Sequence, residues 1–115
     1  MREKDGENRL AALCAQVRAL SARLDYDGCM ELLRGAMGGC PDAPEPHNLM
    51  GIIYMRKGDK GSAMRHFRAA WALDPTYLPA RENLYACGTF EPHGALAYDE
   101  SDCLGAPLRR QTDIL

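Results

Sequence analysis

No run of apolar residues in this 115-residue chain approaches the roughly 20 that cross a bilayer. The opening Met1-Arg2-Glu3-Lys4-Asp5 does not lead into the apolar stretch of a secretory signal. The expectation is a soluble, cytoplasmic protein with no membrane partner. An excess of one charge is also missing, since 14 basic and 16 acidic side chains leave a formal net charge of −2. Nucleic-acid binders concentrate basic residues on one face, so no nucleic-acid partner is expected. The five cysteines, Cys14, Cys29, Cys40, Cys87 and Cys103, are odd in number and form no CxxC pair. That pattern speaks against a disulfide framework or a zinc knuckle and for reduced thiols. Cys87, His93 and Cys103 match no zinc spacing, so no metal is expected.

Catalytic signatures are absent as well. There is no glycine-rich phosphate loop, no HExxH and no GxSxG, and neither a cofactor nor a reaction is expected. The acidic pairs Asp25/Asp27 and Asp42/Glu45 stand at expected helix starts, where the helix dipole favours negative charge. Capping accounts for them without acid–base chemistry. His47, on a helix face, reads as a packed or half-exposed histidine and not as a catalyst.

What is present is ordinary globular composition, 46% hydrophobic and 26% charged, in a length that suits one small domain. Residues 1–8 are polar and expected to fray. Leu10, Leu13, Val17, Leu20 and Leu24 follow at steps of three and four, one stripe along a first helix. Asp25 stands ready to cap a second helix bearing Cys29, Leu32, Leu33, Ala36 and Met37. Gly38-Gly39 is expected to close that helix in the left-handed conformation. Pro41, Pro44 and Pro46 stop one helix and start the next. A third helix points Leu49, Met50, Ile53 and Tyr54 inward, and Gly58-Asp59 makes a turn. The fourth helix, capped by Asp59, is expected to bury Ala63, Phe67, Ala70 and Trp71, with His66 on its solvated side. Thr76 is the expected cap of a short fifth helix, with Pro79 in its first turn and Leu78, Leu84 and Tyr85 along it.

The stretch from Pro44 to Pro75 carries a known spacing. His47, Met50, Gly51 and Tyr54 stand where the tetratricopeptide repeat has its Trp, Leu, Gly and Tyr. Ala63, Phe67 and Pro75 stand where it has its Ala, Phe and closing Pro. The chain thus resembles the tetratricopeptide repeat (TPR) family, small bacterial-type members included. The interval from Pro41 to Pro75 is one repeat length, about 34 residues. At that offset Ala70 falls on Ala36, Phe67 on Leu33, Ala63 on Cys29, Asp59 on Asp25 and Gly51 on Val17. Residues 10–43 read as a degenerate copy of 44–77, and 77–87 as a capping helix. The resemblance implies an all-α fold over residues 9–87, a right-handed stack of antiparallel helix pairs in a TPR-like α-solenoid. Val17 in place of glycine predicts a wider approach between the first two helices.

In that family the first helix of each pair lines a concave surface that holds an extended peptide or a partner's helix. The resemblance places Cys14, Arg18 and Ser21 on this surface from the first helix. Glu45, Asn48, Ile52, Met55 and Arg56 come from the third, and Glu82 and Ala86 from the fifth. One subset of the family grips the carboxylate of chaperone tails with Lys, Asn and Arg. At the matching places this chain has Cys14, Arg18, Leu49, Pro79 and Asn83, and only Arg18 offers a cation, so that role is not expected. The expected function is a non-catalytic protein–protein interaction scaffold or adaptor for a protein or peptide partner. The alternative is a self-assembling homo-oligomer whose groove is filled by another copy or by its own C-terminal tail. A redox or metal switch through the cysteines is a third reading. So few repeats make a short groove, below the ~800 Å² per partner of a standard interface. Residues 88–115 break every periodicity and include the acidic run Asp99-Glu100-Ser101-Asp102. They are expected to be a flexible tail, or one docked through Phe90 and the segment 95–98.

Overall fold

The structure, a computed structural model, describes residues 2–88 and 96–103. Five helices follow one another: α1 (Arg2–Ala22), α2 (Tyr26–Gly39), α3 (Pro44–Arg56), α4 (Lys60–Leu73) and α5 (Leu78–Cys87). A single helical turn spans 100–103, and no strand occurs among the described residues. The fold is all-α. Consecutive helices pack on one another, and α1 and α5 also each meet α3. Helix α3 therefore touches the other four, which explains why eight of its residues are buried.

Helix bounds and turn bonds recur along the chain at the interval read from the sequence. Helices α2 and α4 start one repeat length apart, at Tyr26 and Lys60, and end one repeat length apart, at Gly39 and Leu73. The starts of α3 and α5, Pro44 and Leu78, keep the same interval. The turns match bond for bond. After α1, Leu24 N–H donates to Ser21 O at 2.9 Å and Asp25 N–H to Leu20 O at 2.9 Å. After α3, Gly58 N–H donates to Met55 O at 3.1 Å and Asp59 N–H to Tyr54 O at 2.8 Å. Each pair of bonds is a Schellman closure, which needs one residue in the left-handed region. Gly58 takes that role at φ 86° and Leu24 at φ 62°. Glycine adopts it freely, whereas a side chain there costs roughly 1–2 kcal/mol. Asp25 and Asp59 then cap α2 and α4, accepting from Gly28 N–H at 3.0 Å and Ser62 N–H at 3.1 Å.

One continuous core joins the helices. Val17, Cys29, Leu33, Leu49, Ile52, Ile53, Ala63 and Phe67 are all fully buried in it. Burying a side chain such as Leu33 or Phe67 contributes about 1.5–3 kcal/mol. Gly51 is what admits the Phe67 ring: a Cβ on Gly51 would collide with Phe67 Cε1 and Cδ1. The equivalent positions in the first pair hold Val17 and Leu33, a medium residue facing a medium one. Among the described helices the α3–α4 contact is the most extensive and exceeds that of α1 with α2, in keeping with the valine.

Five local features differ from the sequence reading. Leu24, expected on the stripe of the first helix, lies beyond the end of α1 in the left-handed turn and is mostly exposed. Helix α1 starts at Arg2, so most of the stretch expected to fray is helical, while Met1 lies outside the described residues. Once a packed stripe nucleates a helix, each added residue gains a backbone bond, and the helix runs past its apolar stripe. Helix α2 runs through Gly39 and closes without a left-handed glycine. Instead Cys40, at φ −134°, donates its N–H to Ala36 O at 2.8 Å. Thr76 caps nothing, because its own hydroxyl donates to Asp74 Oδ1 at 2.6 Å while α5 starts without a side-chain cap. Trp71 is 41% exposed, not buried. It sits at the margin of the α4 stripe, where its Nε1–H donates to Pro75 O at 3.2 Å and keeps the ring at the surface.

Candidate functional site

The chain's own segment 96–103 lies against α1, α3 and α5, and buries Ala97, Tyr98 and Cys103. Its backbone is held by two side-chain amides. Asn48 Nδ2–H donates to Ala97 O at 3.0 Å and Asn83 Nδ2–H to the same oxygen at 2.8 Å. Ala97 N–H returns a bond to Asn83 Oδ1 at 2.7 Å, and Asn83 also donates to Asn48 Oδ1 at 2.8 Å. Both asparagines are at most 1% exposed. An amide buried this deeply is costly unless satisfied, and the backbone of Ala97 together with the bond between the two amides satisfies both.

Tyr98 is the side-chain anchor. The Arg18 guanidinium stands 4.5 Å from its ring centroid and that of Arg56 5.8 Å away, both within reach of the ring's negative face. Its hydroxyl accepts from Arg56 Nε–H at 3.0 Å and pairs with Ser21 Oγ at 3.3 Å. Cys14 Sγ–H donates to Tyr98 O at 3.6 Å. Beyond the tyrosine, Arg18 Nη2 meets Asp102 Oδ2 at 2.9 Å and Asp99 Oδ2 at 3.6 Å. Asp102 also accepts from Tyr98 N–H at 2.8 Å, so one carboxylate both folds the tail's turn and ties it to α1.

The electrostatics follow from this packing. Burial, with Asp99 adding to it, pushes the Cys14 thiol up to about 11. Burial and the nearby Glu82 carboxylate do the same for Cys103, also to about 11. Hydrogen bonding from Ser101 holds Asp99 below the ordinary carboxylate range. These thiols are neutral at physiological pH, which makes them packing groups and weak donors.

Of the residues the family resemblance put on the binding surface, Cys14, Arg18, Ser21, Asn48 and Arg56 converge on the tail. Ile52 is fully buried, in the same cluster as Tyr98 of the tail, so a charge placed there would strike the core. Met55 is half-buried and accepts from Cys87 Sγ–H at 3.4 Å. Glu82 and Ala86 are half-buried on α5, both already engaged. Glu45 has a buried carboxyl oxygen, Oε1, without a hydrogen-bond partner among the described residues. Asn83 and the tail residues Ala97, Tyr98 and Asp102 are missing from that set. For Asn83 the available signal was a polar amide at an inward-facing position beside Leu84. Phe90, Ala95 and His93 lie outside the described residues, as does 104–115.

His66 is half-buried, not solvated. Its ring stacks on Tyr54 at 5.4 Å and on His47 at 5.5 Å, with the two histidine Nδ1 atoms 3.2 Å apart. Among the described residues no three His, Cys, Asp or Glu side chains are grouped to hold a metal ion, and no described helix is long and apolar enough to cross a membrane.

Compared with protein-family models, curated proteins and solved structures, the chain matches none of them. Its functional reading therefore rests on its own residues.

Proposed function

We propose that this chain is a non-catalytic, TPR-like binding module, a right-handed stack of antiparallel helix pairs whose inner surface takes an extended peptide. The return of helix bounds and turn bonds after one repeat length supports the TPR-like arrangement. The observation that carries the binding role is the hold that Asn48 and Asn83 have on both polar groups of the Ala97 peptide unit. Side-chain amides that donate to and accept from a main chain read the backbone of an extended segment whatever its sequence. Tyr98 and Asp102 add sequence preference through Arg18, Arg56 and Ser21. The preferred ligand is a segment with a small residue, then an aromatic, then acids, and the tail is its resident copy. Five unpaired thiols suit a module that works in a reducing, cytoplasmic setting.

The test uses a labelled synthetic peptide with the sequence of residues 95–104, added to the full chain and to full-length Tyr98→Ala. Truncating a buried aromatic loosens the resident tail, so the variant should bind the peptide about a hundredfold more tightly than wild type. Adding Asn83→Leu to that variant should abolish the gain. No binding to Tyr98→Ala, or binding indifferent to Asn83→Leu, would remove the peptide-binding reading.

One observation favours the self-assembling alternative. Trp71, Leu73, Leu78 and Tyr85, on the last two helices, are all at least 40% exposed. Apolar surface at the end of a repeat stack is where a further unit would join. A strict monomer by light scattering at high concentration would exclude it.

A further inference from the structure

Beside the docked tail lies a cavity of about 170 Å³, against the ~10–15 Å³ that a single water needs. Four carboxylates line it: Glu7 from α1, Glu45 from the first turn of α3, and Asp99 and Glu100 from the tail. Among the described residues, the cation paired with one of them is Arg18, which Asp99 shares with Asp102. Two buried acceptors in the wall are unused. Tyr77 is 5% exposed, and its hydroxyl has no hydrogen-bond partner among the described residues; the same holds for Glu45 Oε1. Tyr77 lines the same cavity as Glu45, Asp99 and Glu100, so its unpartnered hydroxyl shares that wall with the carboxylates. Burial above all, with Glu100 and Asp74 adding to it, raises the Glu45 carboxyl above its ordinary range.

We infer that this cavity binds a primary alkylammonium group, whose N–H donors satisfy Glu45 and Tyr77 while its alkyl chain lies on Leu10 and Ala11. The chemistry narrows to that class in two steps. A metal ion needs several ligands gathered at one point, and no such group exists among the described residues. A guanidinium delivers its bonds as a planar fork onto one carboxylate, whereas an ammonium spreads three donors over separate acceptors, as found here. Tyr98, Asp99 and Glu100 form one wall, so the site exists only while the tail is docked. A bound ammonium therefore locks the tail down by mass action and opposes any peptide that would replace it. The site depends on the docked tail and not on the peptide-binding role, so either can fail without the other.

The experiment titrates the ¹⁵N-labelled full chain with n-propylammonium chloride, using tetramethylammonium chloride and sodium chloride at equal ionic strength as controls. Nα-acetyl-lysine amide is a second probe, which separates a free amine from a lysine of a polypeptide. Saturable shifts at Glu45 and Tyr77 with either primary ammonium, together with slower hydrogen exchange at Tyr98, are expected. Glu45→Gln should weaken binding about tenfold or more, because it removes a charge-assisted bond. Glu31→Gln, at an exposed site on α2, should leave it unchanged. Tyr77→Phe keeps the ring and removes only an unpartnered hydroxyl, so it serves where Glu45→Gln fails to fold. Shifts no greater than those with tetramethylammonium would overturn the site, as would equal binding by wild type and Tyr77→Phe together with Glu45→Gln.

Discussion

Asn83 donates to Asn48 across 2.8 Å, and this one bond links α5 to α3 at the point where both grip the tail. Asn83 alone bonds both the N–H and the C=O of Ala97, and Asn48 adds a second donor to the same oxygen. Asn83→Leu, an apolar change of similar size, should strip three bonds and cost about 1–3 kcal/mol in urea unfolding. Amide hydrogen exchange at Ala97 and Tyr98 should rise toward that of a free peptide, while α3 and α4 stay protected. Undiminished protection at Ala97 would show that something other than the asparagine pair holds the tail.

The two Schellman turns predict opposite outcomes for one kind of substitution. Leu24 is 72% exposed in a left-handed conformation, so its side chain gains little from burial and bears the steric cost. Leu24→Gly should stabilise the fold by about 1 kcal/mol. Gly58→Ala, at φ 86°, should destabilise it by about the same amount. Thermal melts of both variants check the pair, and a destabilised Leu24→Gly would contradict the equivalence of the turns.

Gly51 and Phe67 should behave as a coupled pair. Gly51→Ala drives a methyl into the Phe67 ring and should cost about 1–3 kcal/mol, with more for valine. Phe67→Leu leaves a void and costs a comparable amount on its own. The double change Gly51→Val, Phe67→Leu recreates the residues of the first helix pair, so the two losses should offset in part. A double-mutant cycle measures that coupling, and strict additivity would refute the packing account.

Burial lowers the pKa of both His47 and His66 from the ordinary 6.5, with His47 adding to the effect on His66. A base whose folded pKa is depressed binds fewer protons folded than unfolded, so its contribution is complete above 6.5 and is lost as pH falls below it. Urea midpoints should drop between pH 7 and 5. The double variant His47→Gln, His66→Gln should flatten that slope. The Asp59 carboxyl, held below its ordinary value by Ser62, titrates at more acidic pH, while the raised Glu45 carboxyl contributes with the opposite sign, so the double variant is what isolates the histidines.

The helices were legible in the sequence because their causes are local. Apolar stripes, Asp25, Asp59 and the proline clusters each act within a turn or two of where they stand. The matching bounds of α2 and α4 were legible because the two helices carry small and large residues at one spacing. What escaped was set by contacts distant in the chain. Nothing near Tyr98 indicates that Arg18 and Arg56 flank its ring, and nothing near Asn83 indicates that Ala97 satisfies it. Trp71 was misplaced because amphipathic spacing gives the stripe but not which margin finds a neighbour. His66 was misplaced for the converse reason, since His47 and Tyr54 of α3 cover it.

The thiol beneath the tail makes the molecule its own reporter. Cys14 is 6% exposed under the Tyr98 carbonyl, and with its pKa at about 11 only about one thiol in ten thousand is a thiolate at neutral pH. When the segment lifts away, the same sulfur regains water and an ordinary acidity, and it becomes open to an alkylating reagent. The rate of labelling at Cys14 is thus a clock for tail departure, readable by mass without any attached dye. A ligand that displaces the tail would quicken the clock, and one that seals it would slow the clock. The groove carries a chemical footprint of its own occupancy.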